Sequence, residues 1–431
     1  MQHVFIVGSK GIPAAYGGFE TFVDKLTAYR KSDDICYHVS RLSDHNGEYE
    51  CNGAKCFDVK VPNLGAAKAV YYDVVALRRS IALWRREVKR QALEQANDAA
   101  TTVISTTGEN VSGLHGETPG EQLSGNHYEK EGAISRPVFY VLACRIGPFA
   151  RYFARKIHKL GGVLYVNPDG HEWKRSKWSA PIRAYWKYSE KHMVKHADLL
   201  VCDSKNIEKY IQEEYASFHP NTTFIPYGSD TKPSALRDDD PRFVNWMKEK
   251  GLAPKGYYLV VGRFVPENNY ETMLREFLRA KTDKDFAIIT TDNPKLHADL
   301  DETLHFSMDP RIKFVGTVYD EELLKKIREQ AYGYFHGHEV GGTNPSLLEA
   351  LGSTDVNLLL EVGFNSEVGE GGALYWNKEE GSLAHLIEHA DSMTAEEIAE
   401  LGQRAKRRIT DAYSWDAIVD AYERLFLEGN G

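Results

Sequence analysis

The sequence predicts an α/β protein made of two doubly wound domains in tandem. Short apolar runs rich in β-forming residues alternate with segments of helical period along the whole chain. The runs are continuously apolar, which is typical of parallel strands covered by helices on both faces. A length of 431 residues is too great for one core of ordinary size. Two such domains form a cleft, and ligands of these sheets bind beyond the carboxyl ends of the strands.

The predicted strands are short and evenly spread. In the first half they cover residues 4–7, 35–39, 56–61, 138–142, 163–166, 199–202 and 223–225. In the second half they cover residues 258–261, 286–289, 312–315, 333–335 and 356–360. The stretch from Thr394 to Leu427 has helical period, with Trp415, Tyr422 and Phe426 as its expected packing residues.

The predicted domains are residues 1–228 and 229–410, followed by a C-terminal helix at 411–431 that packs back toward the first domain. Residues 105–132 are rich in Gly, Ser, Glu and Asn and lack periodicity, so we expect a long mobile loop there. The linker is expected near residues 227–241, where turn residues interrupt the periodic pattern.

The linker region contains the run Asp238-Asp239-Asp240-Pro241. Three neighbouring carboxylates can bind a cation. Clustered like charges beside a proline are more typical of a solvated linker, which is the interpretation we favour.

Net charge differs between the two halves. The chain as a whole carries −9, but residues 1–230 hold 30 Lys and Arg against 26 Asp and Glu, and the remainder holds 23 against 36. Much of the basic excess lies in Lys68–Arg90 and Arg151–Lys195, which also carry aromatic residues. This combination favours an anionic membrane surface or a phosphorylated substrate as partner. Nucleic acid is disfavoured, because the second half is acidic and no nucleic-acid-binding module is recognisable.

The remaining composition indicates a protein with reduced cysteines and no membrane-spanning segment. No apolar run approaches the length of about 20 residues that crosses a bilayer, and the N-terminus enters a strand without a visible signal peptide. We therefore expect a cytoplasmic protein. Its five cysteines are odd in number and lack a Cys-x-x-Cys pair, which argues against both a disulfide framework and a zinc site, so we expect reduced packing residues.

A glycine-rich loop follows the first strand, and its paired glycines Gly17 and Gly18 open a helix. The spacing does not match a dinucleotide fingerprint, and the second strand ends without an acidic ribose ligand. NAD binding is therefore disfavoured. A loop in which the backbone can approach a pyrophosphate or a sugar explains the glycines better.

Two motifs in the second half are typical of an anion site. Arg263 follows a predicted strand and a glycine, so its guanidinium can pair with phosphate oxygens. In the segment from Glu339 to Glu349, a Gly-Gly turn leads into an Asn N-cap and a Pro at the first helical position. Backbone N–H groups of such a turn can bind phosphate. A structural ion pair and an ordinary capped helix are the competing explanations.

Together these motifs resemble family 4 of the retaining GT-B glycosyltransferases, and more narrowly the bacterial cell-surface polysaccharide β-1,4-L-rhamnosyltransferases. The resemblance covers nearly the whole chain except residues 105–132. It rests on three long motifs in order, which are Gly11-Ile12-Pro13-Ala14-Ala15-Tyr16-Gly17-Gly18-Phe19-Glu20, Asn167-Pro168-Asp169-Gly170-His171-Glu172-Trp173-Lys174-Arg175 and Gly341-Gly342-Thr343-Asn344-Pro345.

The resemblance implies the GT-B fold, with an acceptor-binding first domain and a nucleotide-sugar-binding second domain. It implies transfer of rhamnose, with retention, from dTDP-rhamnose to a glucosyl or N-acetylglucosaminyl diphospho-undecaprenol in capsule or cell-wall polysaccharide biosynthesis. It also implies that no metal or other cofactor is needed, and that the protein is peripheral on the inner face of the cell membrane. The expected donor-binding residues are Gly17, Gly18, Arg263, Asn268, Gly342, Thr343, Asn344 and Glu349.

The chain departs from the family pattern in two places. The paired glutamates of the family stand closer together than Glu339 and Glu349, which have nine residues between them, and Gly341 holds the usual first position. The phosphate-binding lysine of the family falls at Asn268. Arg263 and the helix N-terminus must then carry more of the leaving-group stabilisation.

The expected catalytic residues are Asp169, His171, Arg263 and Glu339. Asp169 and His171 follow a predicted strand of the first domain, so they can bind the acceptor hydroxyl or assist its deprotonation. Arg263 stabilises the leaving group, and Glu339 orients rhamnose. The expected acceptor-binding residues are Tyr16, Lys174 and Arg175. A turn stabilised by Asp169 and followed by a basic surface helix is the alternative for this region.

Three other functions stay open. A family member that uses a UDP-hexose would have the same fold and motifs. A nucleotide-sugar epimerase or hydrolase would share the two domains, but it has no use for a basic, aromatic membrane face. A noncatalytic sugar-binding module would leave the phosphate-site residues idle.

Overall fold

The computed structural model describes residues 1–14, 17–107, 135–175 and 178–428, without the side chains of residues 66 and 95–107. Two sheets, each flanked by helices, organise these residues into two lobes. The expected mobile loop at 105–132 lies outside the described residues, except that residues 105–107 form the end of a helix.

The sheet of the first lobe has eight strands in the order β3-β4-β2-β1-β5-β6-β7-β8. Its strands are β1 (Gln2–Val7), β2 (Ile35–Ser43), β3 (Glu48–Cys51), β4 (Ala54–Lys60), β5 (Val138–Leu142), β6 (Val163–Asn167), β7 (Leu199–Cys202) and β8 (Thr222–Phe224). All neighbours pair in parallel except β3, which runs antiparallel to β4.

The sheet of the second lobe has six strands in the order β11-β10-β9-β12-β13-β14, and all neighbours pair in parallel. Its strands are β9 (Tyr257–Gly262), β10 (Asp285–Thr290), β11 (Ile312–Gly316), β12 (Gly333–His336), β13 (Val356–Leu360) and β14 (Leu374–Trp376). The chain therefore crosses from a central strand outward in both directions, as in doubly wound sheets.

Helices connect the strands and cover both faces of each sheet. They are α1 (Gly18–Ala28), α2 (Lys68–Thr107), α3 (Gly147–His158), α4 (Ala180–His196), α5 (Lys205–Glu214), α6 (Pro241–Lys250), α7 (Tyr270–Arg279), α8 (Pro294–Leu304), α9 (Glu321–Glu329), α10 (Pro345–Ser353), α11 (Gly363–Gly369), α12 (Ser382–Ser392), α13 (Ala395–Tyr413) and α14 (Trp415–Glu428). None of the helices in the described part of the chain combines the length and apolarity needed to cross a membrane.

The C-terminal helix returns to the first lobe. α13 runs past residue 410, so the helix expected to start at 411 begins instead at Trp415. α14 then packs on α1, β1 and β2. Tyr422 and Phe426 are fully buried, and the hydroxyl of Tyr422 lies 3.1 Å from that of Tyr140 on β5.

One apolar cluster joins the two lobes. It contains Phe22 and Tyr140 of the first lobe, α14, and Leu347, Leu348 and Ile409 of the second lobe. Burial of continuous apolar surface across both lobes stabilises their relative position. The carboxyl ends of β6 and β7 consequently face the turn between β12 and α10.

The segment between β8 and α6 contains the three neighbouring aspartates. Asp238 pairs with Lys326, Asp239 pairs with Arg237, and Asp240 caps α6 by accepting a hydrogen bond from the backbone N–H of Arg242 at 3.0 Å. The carboxylates therefore have separate partners and do not form a ligand set.

Candidate active site

The lobes touch where two glycine-containing loops meet. Gly170 follows β6, and a Cβ atom added there would lie only 2.4 Å from the Cα of Gly341. The Thr343 hydroxyl donates a hydrogen bond to the backbone carbonyl of Asp203, which follows β7. Any side chain at position 170 would push the lobes apart, so the glycine is required for this approach.

The loop after β6 has an unusual backbone. Asp169 and His171 have φ values of 58° and 47°, which is the left-handed region that residues with a Cβ rarely adopt. Each such residue costs on the order of 1 kcal/mol or more, and this strain is characteristic of functional loops. The backbone of this segment meets the second lobe at Gly170, whereas the His171 ring packs on Tyr210 and Asp169 lines a small first-lobe pocket with Glu172 and Trp173.

His171 is uncharged near neutral pH. Its ring lies 4.2 Å from that of Tyr210, and burial, followed by the positive charges of Lys174 and Lys187, lowers its pKa to about 4. A neutral imidazole can accept a proton or a hydrogen bond. The neutral ring of His171 is therefore able to accept a hydrogen bond from an acceptor hydroxyl, and its role as a base stays a prediction.

Asp203 is a buried acid that sequence reasoning did not identify. Its residue is 3% exposed, and Oδ1 has no hydrogen-bond partner among the described residues. A Cβ atom added to Gly342 would lie 2.2 Å from this oxygen. Burial, reinforced by the negative charges of Asp169 and Glu367, raises the pKa of Asp203 to about 8. At neutral pH the side chain is therefore mostly the neutral acid.

The N-terminus of α10 has the capped form that the sequence predicts. Asn344 is the N-cap, and its side chain accepts hydrogen bonds from the backbone N–H groups of Ser346 at 2.9 Å and Leu347 at 3.4 Å. The first helical turn is thereby satisfied from within the chain. The backbone N–H groups of Gly342, Thr343 and Asn344 donate to none of the described residues, so the donors available to an anion belong to the turn before the helix.

Arg263 follows the strand that contacts the start of α10. That strand is β9, and Ser346 of α10 donates a hydrogen bond to Val261, two residues before Arg263, at 3.1 Å. The Arg263 residue is half-buried, and its guanidinium pairs with no carboxylate of the described residues. A partly buried cation without a counter-charge is the local arrangement that favours a bound anion.

Asn268 holds the loop around Arg263. Its side-chain amide donates to the backbone carbonyl of Arg263 at 2.8 Å, and its Oδ1 lies 2.7 Å from Nδ1 of His338. Burial, followed by the positive charges of Arg175 and Arg263, lowers the pKa of His338 to about 3. Guanidinium groups from both lobes thus converge on this neutral histidine. Asn268 thus positions the loop around Arg263, and its part in binding the nucleotide-sugar donor stays a prediction.

The two glutamates of the motif have partners in the second lobe. Glu339 forms an ion pair with Lys378. Glu349 pairs with Arg328 at 2.6 Å, and this arginine side chain is only 3% exposed. Arg328 was not identified from the sequence, because its position near the end of α9 gives no sign that it faces α10.

Glu349 lines a cavity of about 150 Å³ that lies between the lobes. Gly18 and Lys25 of α1 form one wall, and Lys325, Arg328 and Glu349 form the other. Gly17, at φ 128°, is the N-cap of α1. The cavity therefore connects the glycine-rich loop of the first lobe to the expected nucleotide-binding helix of the second.

The expected acceptor-binding residues lie at the first-lobe side. Arg175 pairs with Glu172 at 2.5 Å, while Lys174 is exposed and lies 5.3 Å from the ring of Trp173. Tyr16 lies outside the described residues. Arg145, after β5, was not identified from the sequence; it donates to the carbonyl of Gly8 at 2.7 Å and so supports the glycine-rich loop.

Known proteins resemble the chain in sequence, through one family model, and in structure. A family model described as a domain of unknown function, DUF1972, matches residues 1–104 and 125–230. The chain has no significant match among curated proteins. Among solved structures, the sucrose-phosphate synthase from Thermosynechococcus elongatus is similar, with a TM-score of 0.69 and 14% identity over 99% of both chains.

Two further solved structures have the same architecture. The α,α-trehalose-phosphate synthase (UDP-forming) from Burkholderia xenovorans, in complex with glucose-6-phosphate, gives a TM-score of 0.66 at 12% identity over 99% of both chains. HepE from Anabaena, in complex with UDP, gives 0.62 at 11% identity over 99% of this chain and 100% of its own. The chain thus has the GT-B fold, and the fold class predicted from the sequence is confirmed.

Proposed function

We propose that the chain is a glycosyltransferase that moves L-rhamnose, with retention, from dTDP-β-L-rhamnose to a glucosyl- or N-acetylglucosaminyl-diphospho-undecaprenol in cell-surface polysaccharide biosynthesis. The observation that carries the proposal is the pairing of two features: an Arg263 that pairs with no carboxylate of the described residues, at the end of the strand that contacts the start of α10, and the open N–H groups of Gly342–Asn344. A donor diphosphate supplies the negative charge and the acceptors that these groups lack.

The proposed chemistry follows from where charge develops. When the bond from the anomeric carbon to the diphosphate breaks, the sugar becomes oxocarbenium-like and the diphosphate gains charge. Groups fixed in advance around that charge lower the barrier most. The acceptor hydroxyl attacks the same face of the sugar, and its proton passes to the departing phosphate. Arg263 and the turn amides provide the stabilisation, so the proposed reaction needs no metal cofactor.

Asp169 and His171 would act on the acceptor. The strained loop holds both residues opposite the Gly341–Gly342 turn, and His171 is neutral at physiological pH. In the proposed complex they accept a hydrogen bond from the attacking hydroxyl and orient it. The exposed Lys174 and the paired Arg175 would contact the acceptor diphosphate.

Glu349 would bind the nucleoside sugar. Its ion pair with Arg328 fixes the carboxylate at the wall of the interlobe cavity, where it can accept hydrogen bonds from ribose-type hydroxyls. Glu339, held by Lys378, would orient the transferred sugar. Both roles rest on the motif resemblance together with these contacts.

A UDP-hexose is the second candidate donor. The observation that favours it is that the structurally similar HepE was solved in complex with UDP and with UDP-glucose. Comparing the rise in melting temperature with dTDP and with UDP separates the two donors, because a bound ligand stabilises the folded state.

The lipid-linked acceptor requires the protein to work at a membrane. The exposed ring of Tyr152 on α3 lies near Lys156, Arg78 and Arg85, and a hydrogen bond with Lys156, followed by the positive charges of all three residues, lowers the pKa of its hydroxyl. Basic groups around an exposed aromatic ring are typical of an interfacial surface. We propose that α2 and α3 hold the protein peripherally on the anionic inner face of the cell membrane.

Vesicle flotation tests the membrane proposal. Reversing the charge of Arg78 and Arg85 together should abolish binding to vesicles that contain anionic lipid, while the same change at the exposed Arg404 and Arg407 of α13 should not. Unchanged binding of the first variant would contradict the proposed surface and would favour an epimerase or hydrolase.

Transfer itself is tested with the purified full chain. The protein is incubated with dTDP-rhamnose and a glucosyl or N-acetylglucosaminyl diphospholipid, and the lipid product is measured by mass. The proposal predicts a lipid-linked disaccharide that contains rhamnose. A product formed only from UDP-glucose would contradict dTDP-rhamnose as the donor. Hydrolysis of the donor without transfer would contradict the proposed transferase activity.

A further inference from the structure

Three side chains that can bind a metal converge at the amino-terminal edge of the first sheet. His3 lies on β1, and Cys36 and His38 lie on β2, where His3 and Cys36 are register partners. Their donor atoms all lie within 4.8 Å of one another. This edge is opposite the carboxyl ends of the strands, which face the cleft, so the cluster is separate from the candidate active site.

The donor atoms point at one another. Nδ1 of His3 lies 3.0 Å from Nε2 of His38, and the same nitrogen of His38 lies 3.5 Å from Sγ of Cys36. All three residues are buried, with exposures of 3% for His3, 7% for Cys36 and 8% for His38. Zinc prefers nitrogen and sulfur ligands such as imidazole and thiolate, whereas Mg²⁺ and Ca²⁺ prefer oxygen ligands. Two imidazoles and a thiol therefore suit zinc.

Aromatic packing fixes both rings. The His38 ring stacks on Phe5 with centroids 4.3 Å apart, and the Trp84 ring lies 5.2 Å from that of His3. The imidazoles therefore cannot turn away without disturbing the core. Preorganised ligands lose little conformational entropy when an ion binds.

A carboxylate lies near His3, on the side of the ring that faces away from the cluster. Oε1 of Glu87 lies 4.0 Å from Nε2 of His3, the ring nitrogen that faces away from His38. Metal-binding histidines usually present their second nitrogen to a carboxylate, which fixes the tautomer and directs the other lone pair at the ion. Without a metal ion, Nε2 of His38 is shared between Nδ1 of His3 and the Cys36 thiol.

We propose that His3, Cys36 and His38 form a binding site for one zinc ion. At zinc bond lengths of about 2.0–2.3 Å, neighbouring donors lie roughly 3.3–3.6 Å apart, so the histidine nitrogens need to separate by a few tenths of an ångström, and the His3 and Cys36 donors, which lie within 4.8 Å, must reach the same spacing. On binding, the Cys36 S–H bond breaks, its electron pair forms the S–Zn bond, and the proton leaves to solvent. Water completes the coordination, and the ion ties β1 to β2.

Cobalt titration of the chelator-treated full chain tests the site, because Co²⁺ takes the same ligands and is coloured. We expect one equivalent of Co²⁺ to produce a thiolate-to-cobalt charge-transfer band, and one equivalent of Zn²⁺ to remove it. Zinc should also raise the melting temperature of the protein. A folded wild-type chain that gives neither the band nor the thermal shift would overturn the proposal.

Matched variants assign the ligands. Cys36→Ser should abolish the charge-transfer band and the zinc-dependent rise in melting temperature, and His38→Gln should weaken cobalt binding at least tenfold. Cys51→Ser, which changes a half-buried thiol on β3 outside the cluster, should leave both signals unchanged. A band that persists in Cys36→Ser and disappears in Cys51→Ser would place the thiolate elsewhere and contradict the assignment.

Discussion

The two lobes differ in the ionisable groups that they bring to the cleft. Residues 1–230 have an excess of basic residues, yet they contribute the acids Asp169 and Asp203. The acidic remainder contributes the unpaired Arg263. In the first lobe, the cation Arg175 is balanced by Glu172. Net charge therefore describes the outer surface, whereas the end of each strand sets the charge of the site.

The contrast has a physical consequence for a diphosphate. An ionised Asp203 beside Gly342 would repel an anion bound at the turn, but burial keeps this acid mostly protonated at neutral pH. The first lobe can thus approach the anion site of the second without placing a second negative charge there. Substitutions in either lobe test this difference.

The largest effect is expected for Arg263→Ala, which removes the cation of the second lobe. Loss of one preorganised group that stabilises developing negative charge lowers kcat by about 100- to 1000-fold. Steady-state kinetics with the proposed donor and acceptor measure the effect. Arg404→Ala, which removes an exposed arginine paired with Glu400, should change kcat less than about twofold. Equal losses in the two variants would contradict a specific role for Arg263.

A smaller effect is expected at the contact between the lobes. Gly342→Ala places a Cβ against Asp203 Oδ1, so we expect kcat/KM to fall roughly tenfold. In an Asp203→Ala background there is room for the new methyl group, and the same substitution should cost clearly less. Strict additivity of the two changes would show that these residues do not meet in the working enzyme.

The pH dependence of stability isolates the buried acid of the first lobe. The folded-state pKa of Asp203 is raised to about 8, so the folded chain binds an extra proton at neutral pH. Its contribution to stability is present below the unfolded pKa near 4 and is lost as pH rises through about 8. Asp203→Asn should therefore lose less stability than wild type between pH 6 and 9, as measured by thermal unfolding. Parallel curves would contradict a buried, protonated Asp203.

The smallest effect is expected at the edge of the interlobe contact. Glu367 of α11 accepts hydrogen bonds from the Ser204 hydroxyl at 2.8 Å and the Lys205 backbone N–H at 2.9 Å, and so caps α5 of the other lobe. Loss of a cap costs about 1 kcal/mol. Glu367→Ala should raise the donor KM a few-fold with little change in kcat. Glu361→Ala, at an exposed position, is the control. An effect of Glu367→Ala on kcat alone would contradict a role for Glu367 in the contact between the lobes.

Most of the fold could be predicted because buried parallel strands leave continuous apolar runs. Two strands of the structure, β3 and β14, were not predicted, and they show where the pattern of apolar runs fails. β3 is four residues long, lies at a sheet edge and carries Glu48, Tyr49 and Glu50, while β14 has only three residues. β3 contains no apolar run, and the run in β14 is too short to be recognised, so each owes its conformation to the neighbouring strand.

The candidate site was predictable where one segment encodes it and hidden where distant segments meet. Asn344 and Pro345 identify the start of α10 by themselves. The contact between Asp203 and Gly342 joins residues from different lobes, and the partner of Glu349 lies on α9. Asp203 does follow a predicted strand, so a search of every strand end for acidic residues would have found it.

A crystal structure of the chain with dTDP tests the central claim most directly. The account predicts that the diphosphate oxygens lie within hydrogen-bonding distance of the Arg263 guanidinium and of the backbone N–H groups of Gly342–Asn344. A diphosphate bound away from both groups would contradict it.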